Sequence, residues 1–173
     1  SYEATELLRD KAARWQSLAS GFARTIDRVL GEGADTLADG PVLVWGAAEG
    51  VELALDLARS GRSVRLLDPR AKFAPAAYIG SRARYVMLWA GQAELVPETG
   101  VDLVGVGEGS VRLRHGDGRE EVASCANLIL APGRVAHDPL SAALQGSGIA
   151  VQILGDARTP RSYGNAIHEA AYL

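Results

Sequence analysis

The stretch from Val42 to Asp68 constrains the fold of this chain more than any other. It opens with four apolar residues, Val42-Leu43-Val44-Trp45, whose lack of polar alternation predicts a strand covered on both faces. Gly46 permits a sharp turn, and apolar residues then recur at helical spacing from Val51 to Ala58. Residues 63–67, which read Ser-Val-Arg-Leu-Leu, follow Gly61 and are predicted to form the next strand. The stretch therefore predicts a strand, a helix and a second, parallel strand.

The turn between the first strand and the helix carries residue types suited to a dinucleotide. Gly46, Ala47, Ala48 and Gly50 are small, so backbone N–H groups and the positive end of the helix dipole can face a pyrophosphate. Asp68 stands where such a unit places the acid that accepts from the adenosine ribose hydroxyls. Because a carboxylate there disfavours a 2′-phosphate, we expect NAD(H) rather than NADP(H) if a nicotinamide cofactor binds.

The turn departs from the usual G-x-G-x-x-G pattern. It is one residue shorter, it has alanine at the middle position, and Glu49 adds a negative charge near the expected phosphate. The alternative is a unit that keeps the shape without binding nucleotide. In the loop that follows, Arg70 and Lys72 either contact a phosphate or remain solvated surface charges.

Composition and charge are those of an ordinary globular protein. The chain has 173 residues, of which 47% are hydrophobic and 23% charged, enough for one domain with a core. A net charge of −3 gives no reason to expect nucleic acid or an anionic membrane as a partner. A single cysteine, Cys125, excludes an internal disulfide, is expected to be buried, and fits a reducing, cytoplasmic compartment. No apolar run reaches membrane-spanning length.

The remaining segments complete an α/β domain. We expect a long helix over residues 2–30, a helix over residues 81–92 and three short strands in a meander over residues 101–123. A buried strand at 127–131, a last strand at 149–154 and a helix from Ser162 follow. The predicted fold class is a Rossmann-like three-layer domain with a parallel sheet and a β-meander, plus the long N-terminal helix. The predicted divisions are 1–40, a nucleotide-binding-like domain at 41–148, and a strand and helix of a flavin- or ADP-binding subdomain at 149–173.

The order of these parts and two motifs resemble a known family. Residues 128–134 read Leu-Ile-Leu-Ala-Pro-Gly-Arg, residues 153–161 read Ile-Leu-Gly-Asp-Ala-Arg-Thr-Pro-Arg, and residues 166–170 read Ala-Ile-His-Glu-Ala. Over residues 41–173 the chain is similar to the nucleotide-binding C-terminal region of the trimethylamine dehydrogenase and 2,4-dienoyl-CoA reductase family. These are modular NADH:flavin oxidoreductases with a barrel like that of old yellow enzyme.

The resemblance implies a place for each cofactor. The reaction would occur in a barrel that holds FMN beside an iron–sulfur cluster, whereas this region would bind NAD(H), or ADP or FAD. Pro132 and Gly133 would border the nicotinamide. Asp156 would face the flavin, unless it is only a turn aspartate. Some dehydrogenase members keep this domain with a degraded glycine loop, so a structural or docking module without nucleotide is the alternative.

The resemblance and the chain end also bear on catalysis. The last helix continues to the final residue, so we expect a piece of a longer protein, with the remainder of the parent flavoenzyme as its partner. The histidines and Cys125 match no catalytic or metal-site spacing. We therefore expect no turnover by this region alone.

Overall fold

The computed structural model of the chain describes residues 22–71, 95–161 and 163–172, together with Asp10, Arg14, Leu88, Trp89, Gly91 and Ala93. The described residues fall into two compact units, a larger one within Leu7–Gly133 and a smaller one from Arg134 onwards.

The larger unit is built on two sheets. Its strands are β1 (Ala23–Thr25), β2 (Val42–Trp45), β3 (Val64–Asp68), β4 (Glu98–Thr99), β5 (Val101–Gly107), β6 (Ser110–His115), β7 (Glu120–Ser124) and β8 (Asn127–Leu130). A five-stranded parallel sheet has the order β1-β8-β2-β3-β4, and β5-β6-β7 form an antiparallel meander. Within residues 22–71 and 95–133, the helices of this unit are α1 (Ile26–Glu32) and α2 (Ala47–Arg59), with a 3₁₀ turn at Ala34–Thr36. The predicted α/β fold with a parallel sheet and a meander is confirmed.

The parallel sheet is the middle of three layers. On one face, Val44 of β2 and Leu66 of β3 pack against Val51 and Leu57 of α2. On the other face, alternate strand residues pack against the inward side chains of the meander; this second cluster includes Leu43, Trp45, Leu67, Leu103, Leu113, Leu128 and Leu130. Both faces of β2 are therefore buried, which is why its four residues show no polar alternation.

The N-terminal helix does not run as predicted. Ala23–Thr25 is a strand that pairs in parallel with β8, and Ala23 is completely buried. A new helix, α1, then starts with Thr25 as its N-cap, whose side chain accepts from the backbone N–H of Arg28. The expected continuous helix over residues 2–30 is wrong at this point because sheet pairing outweighs the helical spacing of the apolar residues. Asp10 and Arg14 are helical, and the rest of residues 2–21 lies outside the described residues.

Most of the second predicted helix, at residues 81–92, also lies outside the described residues. Its described members Leu88, Trp89 and Gly91 are helical.

The smaller unit contains short helical elements. These are α3 (Ser141–Leu144), a 3₁₀ turn at Gly155–Ala157, and α4 (Tyr163–Ala171). The predicted strand at residues 149–154 is wrong, since these described residues have no regular secondary structure. A strand needs a neighbour for its backbone hydrogen bonds, and no strand is assigned among the described residues of this unit.

One ionic network ties the meander to the parallel sheet. The guanidinium of Arg65 on β3 donates two hydrogen bonds of 2.8 Å to the carboxylate of Glu98 and one of 2.7 Å to Glu121 on β7. Glu121 also contacts His115 at 3.0 Å. The hydrogen bond from Arg65, and then that from His115, lowers the pKa of Glu121. The network therefore favours the ionised form of Glu121.

Among the described residues, no helix combines the length and apolar character required to cross a membrane.

Candidate nucleotide-binding site

The glycine turn and Asp68 lie side by side at the carboxyl edge of the parallel sheet. Strands β2 and β3 pair with Trp45 opposite Leu67. The next residue on β2, Gly46, donates its backbone N–H to the carbonyl oxygen of Leu67 at 2.8 Å. Asp68 follows Leu67 directly. This is the edge at which open parallel sheets bind ligands.

Helix α2 begins immediately after Gly46, which is its N-cap. The carbonyl oxygen of Gly46 accepts from the N–H of Gly50 at 2.9 Å, which closes the first helical turn. Ala47 and Ala48 are the first two helical residues. The backbone N–H groups of a first turn have no acceptor within their own helix, and the helix dipole adds partial positive charge there. These positions can therefore donate to a phosphate.

Gly46 is required by the packing of the chain itself. Its φ is 109°, and a Cβ on it would lie 1.9 Å from the carbonyl oxygen of Ala131. Ala131 continues β8 by donating its N–H to the carbonyl oxygen of Trp45 at 2.8 Å. The ends of β2 and β8 thus approach closely, and only glycine fits between them.

Gly50 has a corresponding role between helix and sheet. A Cβ on Gly50 would lie 2.5 Å from Cγ1 of Val44 and 3.3 Å from Cβ of Ala131. Both neighbours are buried. The glycine therefore permits the close approach of α2 to the sheet, which sets the position of the helix N-terminus.

Asp68 is completely buried and makes an ion pair with Arg70. Oδ1 of Asp68 accepts from the backbone N–H of Arg70 at 2.9 Å and from its Nε at 2.7 Å, and Oδ2 accepts from Nη2 at 2.6 Å. The sequence predicted Asp68 as a ribose ligand and left Arg70 between a phosphate contact and a surface charge. The structure brings the two together. Lys72 lies outside the described residues.

Pro132 and Gly133 follow Ala131 beside the glycine turn. Both are partly buried, and Gly133 has a φ of 102°. Their sequence position after β8 brings them to the same edge as Gly46, through the hydrogen bond from Ala131 to Trp45. Ala131 itself was not predicted as a site residue. Its only signal in the sequence was its position at the end of a buried strand.

Asp156 belongs to the smaller unit. It lies in the 3₁₀ turn Gly155–Ala157, is exposed, and accepts from the backbone N–H of Arg161 at 3.1 Å. The neighbouring N–H of Gly155 donates to Oε2 of Glu169 on α4 at 2.9 Å, and Glu169 also pairs with Arg161. The motif therefore forms a turn held against α4 by one carboxylate.

The thiol of Cys125 is buried in the core between the parallel sheet and the meander. Burial raises the pKa of the Cys125 thiol to about 11, and the side chain is 5% exposed. Within the described residues, no group of three or more histidine, cysteine, aspartate or glutamate side chains is arranged to hold a metal ion.

Solved structures with the same fold include three of particular interest. A 2-naphthoyl-CoA reductase, in complex with 2-naphthoyl-CoA, matches 84% of this chain with a TM-score of 0.68 and 22% identity. The 6-hydroxypseudooxynicotine amine oxidase HisD of Pseudomonas geniculata N1 matches 87% with a TM-score of 0.67 and 19% identity. Histamine dehydrogenase from Rhizobium sp. 4-9 matches 88% with a TM-score of 0.65 and 19% identity.

The chain shares its fold with part of each of these three proteins, which are trimethylamine dehydrogenase-like flavoenzymes. The resemblance predicted from the sequence motifs is confirmed at this level. The chain spans 22%, 24% and 24% of the lengths of the three solved proteins. No protein-family model matches the sequence, and no curated protein matches it in sequence.

Proposed function

We propose that this chain is a dinucleotide-binding domain of a flavin-dependent oxidoreductase. It would bind a nicotinamide dinucleotide or ADP. The ligands expected from the sequence are NADH and ADP. The domain would pass reducing equivalents to a flavin. That flavin, as FMN beside an iron–sulfur cluster, would be held by other parts of the parent protein. In the reducing cytoplasm Cys125 would remain a thiol.

The observation that carries the proposal is the meeting of three features at one edge of the sheet. The glycine turn, the N-terminus of α2 and the Asp68–Arg70 pair lie at the carboxyl ends of neighbouring strands β2 and β3. A pyrophosphate would accept from the first-turn N–H groups of α2. The adenosine ribose would then lie toward the end of β3, where Asp68 and Arg70 are.

Each residue would bind or orient rather than react. Ala47 and Ala48 would supply backbone donors, and Pro132 and Gly133 would border the nicotinamide beside Gly46. A bound nicotinamide would supply hydride transfer. Asp156 would contact the flavin side, provided that the parent protein brings its own flavin-binding part to the smaller unit.

A structural or docking module is the second candidate. Gly46 and Gly50 are both explained by contacts inside the chain, and the N–H of Gly46 is already used by Leu67. Both carboxylate oxygens of Asp68 accept from Arg70. A domain that kept the shape and lost the ligand would retain these contacts.

Isothermal titration calorimetry of the purified chain with NADH, NADPH and ADP separates the two candidates. Nucleotide binding predicts saturable heat with at least one ligand, and weaker binding by the Asp68→Asn variant. Circular dichroism would show whether that variant keeps its fold. A folded chain that gives no heat with any of the three nucleotides would leave the docking module as the function.

A further inference from the structure

The ribose end of the candidate site presents an ion pair rather than a lone carboxylate. Asp68 is completely buried, whereas the Arg70 side chain beside it is 42% exposed. The guanidinium forms a two-pronged contact with both carboxylate oxygens, at 2.7 and 2.6 Å. A ligand that approaches the end of β3 from solvent therefore meets the arginine before the aspartate.

The backbone holds Arg70 in this position. Its N–H donates to Oδ1 of Asp68 at 2.9 Å, and its carbonyl oxygen accepts from the N–H of Gly100 at 2.8 Å. Gly100 directly follows β4, the edge strand that pairs with β3. The arginine is thus anchored on both sides of its own Cα, so the pair is a fixed part of the sheet edge.

This arrangement changes the electrostatic basis of ribose recognition. An exposed carboxylate at the end of the second strand accepts from the 2′-hydroxyl and repels a 2′-phosphate. Here the carboxylate charge is compensated, and its oxygens already accept from a fork of N–H donors. An arginine near the ribose is the group that accommodates a 2′-phosphate.

We infer that the Asp68–Arg70 pair makes the site selective for 2′-phosphorylated nucleotides, NADP(H) and 2′,5′-ADP, over NAD(H) and 5′-ADP. The inference rests on the proposed nucleotide binding and reverses the preference expected from Asp68 alone. Arg70 would contact the 2′-phosphate, and Asp68 would hold Arg70 in place. Neither residue would take part in a chemical step.

Calorimetric titration of the native chain with 2′,5′-ADP and 5′-ADP tests the inference without any turnover. We expect 2′,5′-ADP to bind about tenfold more tightly, the effect of one charge-assisted contact. The Arg70→Ala variant should lose this preference. Its association constant for 2′,5′-ADP, divided by that for 5′-ADP, should be near or below one. Arg70→Lys, which keeps the charge without the planar fork, should fall between them.

Two further variants control the result. Arg59→Ala also removes an exposed positive charge, from the last turn of α2 at the other end of that helix, and should leave the ratio unchanged. Asp68→Asn keeps Arg70 but removes the carboxylate that holds its guanidinium, so it should reduce the preference for 2′,5′-ADP, and this variant tests the pair even if Arg70→Ala fails to fold. Circular dichroism would identify a variant that has lost its fold.

The inference and the proposed function fail in different ways. Tighter binding of 5′-ADP by the native chain would overturn the inference alone, as would an unchanged ratio in folded Arg70→Ala. A native chain that binds neither nucleotide would overturn the proposed function and the inference with it.

Discussion

The backbone at Gly46 and the carbonyl of Ala131 are so close that a Cβ on the glycine would lie 1.9 Å from the carbonyl oxygen. The contact joins the carboxyl ends of β2 and β8 at the point where α2 begins. Because the neighbour is backbone rather than a flexible side chain, a side chain at this position requires the strand ends to separate.

Gly46→Ala should therefore be strongly destabilising. A positive φ costs an alanine roughly 1–2 kcal/mol, and the displaced backbone adds to this, so we expect a loss of about 3 kcal/mol or more in the free energy of unfolding. Urea denaturation measures it. Gly61→Ala is the matched control, since Gly61 has a φ of 88° with nothing within 4 Å of the added Cβ. Equal losses in the two variants would contradict the role of Ala131.

Gly50→Ala should also destabilise the fold, although alanine favours helix by up to about 1 kcal/mol. The added Cβ would lie 2.5 Å from Cγ1 of Val44, and overpacking of this kind costs about 1–3 kcal/mol. Gly31→Ala in α1 has nothing within 4 Å and should be stabilising or neutral. The second substitution Val44→Ala should cost less in the Gly50→Ala background than in the native chain. If the two costs are equal, the contact with Val44 is not the cause.

Removing Arg65 should reduce the loss in the free energy of unfolding that accompanies acidification. The pKa of Glu121 is lowered from 4.5 in the folded chain by its hydrogen bonds to Arg65 and His115. A lowered carboxyl pKa stabilises the fold above the unfolded value, and this contribution disappears as the pH falls through the folded value. Arg65→Ala should lose about 1 kcal/mol near neutral pH, because the pair is about one-third exposed and partly screened. On acidification, the free energy of unfolding of this variant should then fall by less than that of the native chain.

Urea denaturation at neutral and acidic pH, at low and high salt, measures this difference. Arg114→Ala is the control, since Arg114 pairs with an exposed carboxylate, Glu120, on the solvent side of the meander. It should change neutral-pH stability very little. If the free energy of unfolding falls equally with pH in Arg65→Ala and in the native chain, the pairing with Arg65 does not stabilise the ionised form of Glu121.

Cys125 should react slowly with thiol reagents in the folded chain. Its pKa of about 11 leaves on the order of one thiolate in a thousand near pH 8, and the sulfur is buried. Reaction with Ellman's reagent should be complete within minutes in denaturant and far slower without it. Fast reaction of the native chain, at a rate independent of urea, would contradict this burial.

The Rossmann-like core was predictable because its residues carry local signals that agree with the tertiary structure. Val42–Trp45 is apolar without alternation and lies between two layers, and the predicted meander strands alternate because only one of their faces is buried. In the sequence, Gly46 also indicates the sharp turn after β2, and Gly50 indicates the close approach of α2 to the sheet. The strand Ala23–Thr25 was missed because its apolar neighbours continue a helical spacing and its partner, β8, comes about 100 residues later in the chain.

The position of the candidate site at the edge of the sheet could be predicted from the sequence, whereas its side-chain contacts could not. The placement of Asp68 at the end of β3 follows from the order of elements. Its pairing with Arg70 does not, because an arginine two residues later in a loop usually points to solvent. The preference for NAD(H) over NADP(H) was derived from the carboxylate without its partner. That preference stays a prediction. The predicted strand at 149–154 is wrong because its apolar pattern required a neighbouring strand.

The central claim is that a nucleotide phosphate lies at the N-terminus of α2, beside Asp68. Titration of ¹⁵N-labelled chain with ADP, followed by amide chemical shifts, tests it most directly. We expect saturable shifts concentrated at Gly46, Ala47, Ala48 and Gly50 and at Arg70, with the same dissociation constant for each. Unchanged spectra at millimolar ADP, or shifts confined to residues 134–172, would contradict it.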